Sequence, residues 1–233
     1  MNQPTLFQCP VCNQSLTKAD KVCRCAQGHT YDIARQGYVN LLLPQHTGRG
    51  NPGDTIEMLR SRQQFLNKGY YREFSDQLNA IVLSALPVDR PITLLDAGCG
   101  EGYYTSRLLQ ALTAEGREAE VYGVDVAKRA VQYAAGRDKA IRFAVASTYH
   151  LPIQDDSIDL LLCIFAPRDE GEFARVLKEA GRLIVAAPGP RHLRSLREII
   201  YSEPEDIGSR GDVGGNFALL DQVKVTYPIS IDT

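Results

Sequence analysis

From residue 92 onward the chain alternates between short apolar runs and amphipathic stretches. The run "ITLLD" ends at Asp96 and leads through a glycine-rich turn into "YYTSRLLQAL", whose apolar positions recur at helical spacing. "VYGVDV", "IRFAVA", "IDLLLCIF" and "GRLIVAAPG" are further strand candidates, and "QVKVTYPISI", residues 222–231, is a last one. Strand and helix in repeated succession predict a parallel sheet. Runs that are apolar at every position predict helices on both of its faces.

Upstream the pattern is weaker. "HTGRGNPGD" reads as loop from its glycines and proline. A helix is expected from near Thr55, capped by Asp54 with Glu57 at its third position, and ending at Gly69. It carries Arg60, Arg62 and Lys68 and stops beside Tyr70 and Tyr71. Cations next to aromatics suit phosphate and base contacts, and they equally suit an ordinary solvated helix face.

The first thirty residues spend four of the six cysteines. Cys9-Pro-Val-Cys12 is a short chelating pair, and Cys25 with His29 is a second, giving C-x2-C-x12-C-x3-H. Zinc takes four such ligands in a tetrahedron, two from each small turn, with a hairpin between them. So short a segment buries little core, and the metal would supply the missing folding energy. Cys23 competes with Cys25, but its five-residue gap to His29 is longer than usual, so Cys25 is favoured. A redox pair is disfavoured because no apolar strand precedes Cys9.

Composition sets the frame for these parts. With 233 residues, 44% of them hydrophobic, the chain can hold one full core and a small appendage. We expect a zinc-binding domain at 1–40, a linker and helical segment at 41–90, and a large α/β domain at 91–233. No apolar run reaches the roughly 20 residues of a membrane span, and "MNQPTLFQ" lacks the features of a signal peptide. A cytoplasmic location is expected, where clustered cysteines point to metal rather than disulfides. The net charge of −2 argues against a general polyanion binder. It is unevenly spread: residues 1–75 hold nine Lys/Arg against five Asp/Glu, and the rest seventeen against twenty-three. A basic front is compatible with nucleic acid meeting that end, or with chance solvation.

The turn after Asp96 reads Gly98-Cys-Gly100-Glu101-Gly102. Its third glycine comes one position too soon for a dinucleotide fingerprint. With the preceding acid it resembles the first motif of class I S-adenosylmethionine-dependent methyltransferases, in which backbone approaches the methionyl part of the cofactor. Asp125, closing "VYGVDV", is then placed to accept from the ribose hydroxyls, while Ala146 and Ser147 stand where adenine is held. His150 reads as a polar loop residue.

Several stretches together are more specific: "CPVC", "C-x3-H-x-YD-x-A-x-x-GYVNLL", "PGD", "LDAGCGEGYYT", "GVDV", "F-x-VAS-x-x-LP" and "PGPRHL". On these the sequence resembles the bacterial 23S ribosomal RNA (guanine-N1)-methyltransferases of the RlmA family, over essentially the whole chain. The resemblance implies a class I Rossmann-like α/β sheet, with residues 91–233 an S-adenosylmethionine-dependent methyltransferase domain, preceded by a zinc-binding RNA-recognition domain at 1–40, with zinc on Cys9, Cys12, Cys25 and His29. It implies S-adenosylmethionine contacts at Tyr71, Asp96, Gly98, Gly100, Glu101, Gly102, Asp125 and His192, and a hairpin of 23S rRNA as partner. Near "FAPRDE", Arg168 or backbone amides could meet guanine O6 and Asp169 or Glu170 could take a proton; no catalytic base is assigned. A homodimer stays open, as do a small-molecule substrate and a noncatalytic RNA-binding role. Two departures stand out: Glu179-Ala180 replaces the usual Pro-Gly turn, and one candidate strand, 222–231, stands where class I sheets close with a hairpin, so C-terminal strands are expected to be missing.

Overall fold

The computed structural model describes residues 3–46, 55–201 and 213–230. The N-terminal part is a four-stranded antiparallel ribbon: β1 (Gln3–Gln8), β2 (Ser15–Ala19), β3 (Val22–Arg24) and β4 (Thr30–Asp32), paired in that order. The expected hairpin between the two ligand pairs is β2–β3, where Ala19 pairs with Val22. Asp20 at φ 55 makes its turn, as a short polar residue can.

β5 (Val39–Asn40) follows, then a 3-10 turn at Pro44–His46, α1 (Ile56–Asn67) and α2 (Arg72–Ala85). α1 begins where expected with a different cap: the Thr55 side chain accepts from the Met58 amide at 3.2 Å. Asp54, the expected cap, and the loop 47–54 lie outside the described residues. Gly69, at φ 85, follows the end of α1 in the left-handed conformation that glycine adopts without strain.

The remaining elements alternate as the apolar runs predict: β6 (Ile92–Ala97), α3 (Tyr103–Ala114), β7 (Ala119–Asp125), α4 (Lys128–Arg137), β8 (Arg142–Val145), β9 (Ile158–Ile164), α5 (Glu170–Val176), β10 (Leu177–Ala186) and α6 (Arg194–Ile200). The sheet runs β10-β9-β6-β7-β8-β5, with every neighbouring pair parallel. Glu179-Ala180 lies in a register shift inside β10, between Leu177 opposite Ile158 and Arg182 opposite Leu160. β5, the last two residues of the segment expected as the zinc-binding domain, adds to the edge of the large sheet at β8.

The two faces of this sheet are covered differently. Leu94, Phe143, Leu160 and Leu162 pack against α2, α3 and α4 through residues such as Val82, Leu108 and Val131. On the opposite face Leu95, Tyr122, Val124, Ala144 and Leu161 share one cluster with Phe173 and Val176 of α5 and with Phe7, Cys9, Leu16, Cys23 and Cys25 of the ribbon. Helices on both faces were expected; on this side a small β-ribbon does part of their work. Tyr122, fully buried, fixes the contact. Its ring meets Phe7 edge-on at 5.1 Å and its hydroxyl accepts from the Leu6 amide at 3.1 Å. Phe7 also bridges to Ile153.

The expected strand at 222–231 is absent over its described part: residues 216–230 have no regular structure. Its alternating Val223, Val225 and Tyr227 have the right period, but among the described residues no strand pairs with them. Part of the segment packs nonetheless, since Ile229 lies against the aromatic group around Tyr71. Among the described residues no helix is long and apolar enough to cross a membrane.

Candidate functional site

The four ligand candidates are brought together by the turns before β2 and β4. One ligand atom each from Cys9, Cys12, Cys25 and His29 lies within 4.8 Å of the others. Cys12 and Cys25 sulfurs are 3.7 Å apart, and His29 Nδ1 is 3.5 Å from Cys9 Sγ and 3.4 Å from Cys25 Sγ. A tetrahedral zinc with Zn–S about 2.3 Å and Zn–N about 2.0–2.1 Å requires edges of about 3.8 Å for S···S and about 3.6 Å for S···N. The residues fit the metal. Cys23 points elsewhere, into the shared core, where burial raises its thiol pKa.

Tyr31 completes the centre and carried no role in the sequence reading. Its hydroxyl lies 3.0 Å from Cys9 Sγ. Burial opposes ionisation of Cys9, yet the Tyr31 hydroxyl and the Val11 and Cys12 amides outweigh it and lower this thiol to about 6. Burial and the Cys9 sulfur in turn keep the Tyr31 phenol protonated. Zinc ligands gain from such outer partners, and the Tyr in "H-x-YD" was the signal.

The second site lies at the carboxyl edge of the sheet, where β6 and β7 end. Gly98, Gly100 and Gly102 have φ of 86, 55 and 80. Gly98 and Gly102 are packed tight: an added Cβ would meet the Ala166 Cβ at 2.3 Å or the Ala134 Cβ at 2.9 Å. Gly100 differs, since a Cβ there would meet nothing within 4 Å. The turn is thus clamped at both ends and open in the middle, a cradle for a ligand against main chain. Asp125 braces it, accepting from the Gly100 amide at 2.9 Å and the Ala127 amide at 2.8 Å.

Asp96 is buried beneath this turn. Burial pushes its carboxyl up to about 7; the Thr105 hydroxyl, donating at 2.5 Å, opposes the rise, and Asp125 adds to it. The second oxygen, Oδ1, is buried with no partner among the described residues. The buried Glu101 carboxylate pairs with Arg137, whose Nε is 3.1 Å distant from Oε2.

Tyr71 and His192, 121 positions apart, share a hydrogen bond of 3.0 Å. Burial, with the Tyr227 phenol, pushes Tyr71 up to about 12, whereas burial and Arg197 lower His192. Around them stand Phe74, Tyr104 and Phe165, with Tyr103 opening α3 directly after Gly102. All eight expected cofactor residues therefore border one edge of the sheet or this adjoining cluster.

Other candidates are engaged elsewhere. Asp169 caps α5 by accepting from the Glu172 amide at 2.9 Å, and Glu170 accepts from the Gly214 amide at 3.0 Å. Ser147 accepts from the Tyr149 amide, while His150 stacks on His46 at 4.0 Å, a pairing no motif signalled. Arg60, Arg62 and Lys68 are exposed along α1.

Comparison with known proteins bears on both sites. A family model described as "RlmA, N-terminal" matches residues 7–48, and one described as "Methyltransferase domain" matches residues 89–224. A Micromonospora griseorubida protein, whose name assigns it to the 23S rRNA (guanine-N(1)-)-methyltransferases, is 39% identical over 82% of this chain and 68% of its own. The 23S rRNA (guanine(748)-N(1))-methyltransferase of Streptomyces fradiae is 35% identical over 82% of this chain and 66% of its own. A Bacillus subtilis relative assigned by name to the same class is 32% identical over 85% and 70%. The chain spans about two thirds of the length of these relatives.

Proposed function

Because this chain belongs to the 23S rRNA (guanine-N1)-methyltransferases that carry an RlmA-type ribbon, we propose that it moves a methyl group from S-adenosylmethionine to N1 of a guanine in a 23S rRNA hairpin. The observation that carries this reading is the joining of a four-ligand zinc centre to a glycine cradle braced by Asp125. The relatives supply the substrate class, and the basic front of the chain is compatible with it.

In this reading zinc, held by Cys9, Cys12, Cys25 and His29, is structural: all four positions are taken by protein, and the ribbon is kept folded to meet RNA. When bound, S-adenosylmethionine supplies an electrophilic methyl on its sulfonium. The Gly98–Gly102 main chain takes the methionyl part, and Gly100 leaves room for it. Asp125 accepts from the ribose hydroxyls, and its negative charge disfavours a 2′-phosphate. The partnerless Asp96 Oδ1, the Glu101 backbone and the Tyr71–His192 pair complete the cofactor's surroundings.

Guanine N1 carries a proton that must leave before its lone pair can attack. Donors aimed at O6 would stabilise the charge that develops there. Backbone amides after β9 and the Arg168 side chain, whose Nε lies 3.6 Å from Glu170, are the candidate donors. Asp169 and Glu170 already hold the start of α5 and Gly214, so neither is assigned the proton.

Methylation at N1 blocks Watson–Crick pairing and stops reverse transcriptase. RNA from cells lacking this modification, incubated with the protein and S-adenosylmethionine, should acquire one new primer-extension stop beside a hairpin guanine in 23S rRNA. Methyl incorporation without such a stop, or no incorporation, would refute the reading.

A further inference from the structure

Among the described residues five non-glycine positions have positive φ, and three of them are Asn13, Asp20 and Asp156, types that tolerate the left-handed region. The other two are bulky: Phe165 at φ 54 and Leu193 at φ 50. Both border the aromatic cluster at the sheet's carboxyl edge. Phe165 directly follows β9, and Leu193 directly follows His192. A large side chain persists in this region only where its surroundings force it there, and such positions gather at functional sites.

At Phe165 the forcing contacts are visible. Its amide donates to the Ala186 carbonyl at 2.9 Å, which ties it to the end of β10. The next residue, Ala166, is wedged against Gly98, the first glycine of the cradle. Between these restraints the backbone turns out of the strand and presents the ring. The ring neighbours Phe74 at 5.4 Å, His192 at 6.0 Å, Tyr71 at 6.2 Å and Tyr104 at 6.4 Å, yet Phe165 stays 41% exposed. Tyr71, Tyr103 and Phe173 are buried.

We propose that Phe165 is the platform on which the target guanine rests while its N1 faces the methyl donor. A base drawn out of an RNA hairpin loses its stacking neighbours, and an aromatic side chain restores that contact. Phe165 offers such a surface one residue from the Gly98 contact, beside the Tyr71–His192 pair. This rests on the guanine-N1 reading above and adds the residue that receives the base.

The chain contains no tryptophan, so Phe165→Trp introduces a single indole exactly where the base would rest. Its fluorescence should be quenched by the 23S rRNA hairpin transcript in the presence of S-adenosylhomocysteine. Phe165→Ala should lose roughly tenfold or more in kcat/KM for rRNA, with S-adenosylmethionine affinity unchanged. Phe165→Tyr should retain activity, and Phe165→Leu, apolar without a π-face, should not. Phe165→Gly relieves the backbone strain, so it should melt no lower than Phe165→Ala while remaining as inactive. Equal activity of the Leu and Tyr variants, an indole indifferent to the RNA, or parallel losses of cofactor affinity and methylation would each overturn the assignment. A wild-type protein that makes no N1-specific stop would remove the guanine-N1 reading and this inference with it; a wild-type stop with an active Leu variant would remove this inference alone.

Discussion

Replacing Asp125 by asparagine perturbs the one side chain that braces the glycine turn and is also assigned to the cofactor's ribose. The aspartate accepts two backbone N–H groups, from Gly100 at 2.9 Å and Ala127 at 2.8 Å. An asparagine has one carbonyl oxygen and can keep only one of them; its NH2 then opposes the other. A hydrogen bond to a charged acceptor contributes about 1.5–3 kcal/mol, and Asp125 is only partly buried, so about 1–2 kcal/mol of stability should be lost. For a chain of this size that lowers Tm by roughly 2–8 °C. Loss of the charged acceptor for the ribose hydroxyls should weaken S-adenosylmethionine binding by about tenfold or more. Calorimetric titration and thermal melting separate the two effects. A fall in Tm with unchanged affinity would mean that Asp125 serves the turn alone. Unchanged values of both would mean that neither contact matters, and the account of the cradle would be wrong.

Cys25→Ser should lose zinc while Cys23→Ser keeps about one ion per chain, measured by elemental analysis; equal retention would break the ligand assignment. Asp96 gives a pH signature. Its folded pKa of about 7 lies above the ordinary 3.8, so between those values the folded state holds a proton that the unfolded chain has released. Its contribution is therefore complete below about pH 4 and declines as pH rises toward 7. Asp96→Asn should flatten that decline in Tm, and an unchanged slope would count against a protonated Asp96.

The parts of this molecule that are legible in the sequence are those set by neighbours along the chain. Ligand spacing in C-x2-C-x12-C-x3-H and the G-x-G-x-G turn are local devices, as are the strands around Asp96 and Asp125, and all appear where their patterns put them. What escaped is nonlocal. No periodicity announces a two-residue strand such as Val39–Asn40, whose existence depends on the free edge of β8. Residues 222–231 have a strand's alternation, but over their described part, 222–230, they pair with no strand among the described residues, so the pattern misled. Tyr71 and His192 meet only after the sheet has brought both to one edge, and a resemblance, rather than spacing, pointed to them. The strain at Phe165 is a backbone fact with no residue signature; a phenylalanine at the end of an apolar run reads as the last core position. Asp54 and Thr55 compete for the same cap, and the described residues show Thr55 in use.

The ribbon's place on the sheet changes what kind of object the protein is. Cys9 and Cys25 are at once candidate metal ligands and packing partners of the cluster that holds Leu95 and Tyr122, strand residues one or a few positions from the cofactor cradle. Cutting the chain after the ribbon would strip part of one face of the sheet and leave Tyr122 and Ile153 to water. Ribbon and sheet share one hydrophobic cluster and are expected to melt as one cooperative unit. An ion bound far away in sequence would add its binding free energy to the stability of the whole, so chelation should be felt at the glycine-turn edge of the sheet as a loss of order rather than as a missing reagent.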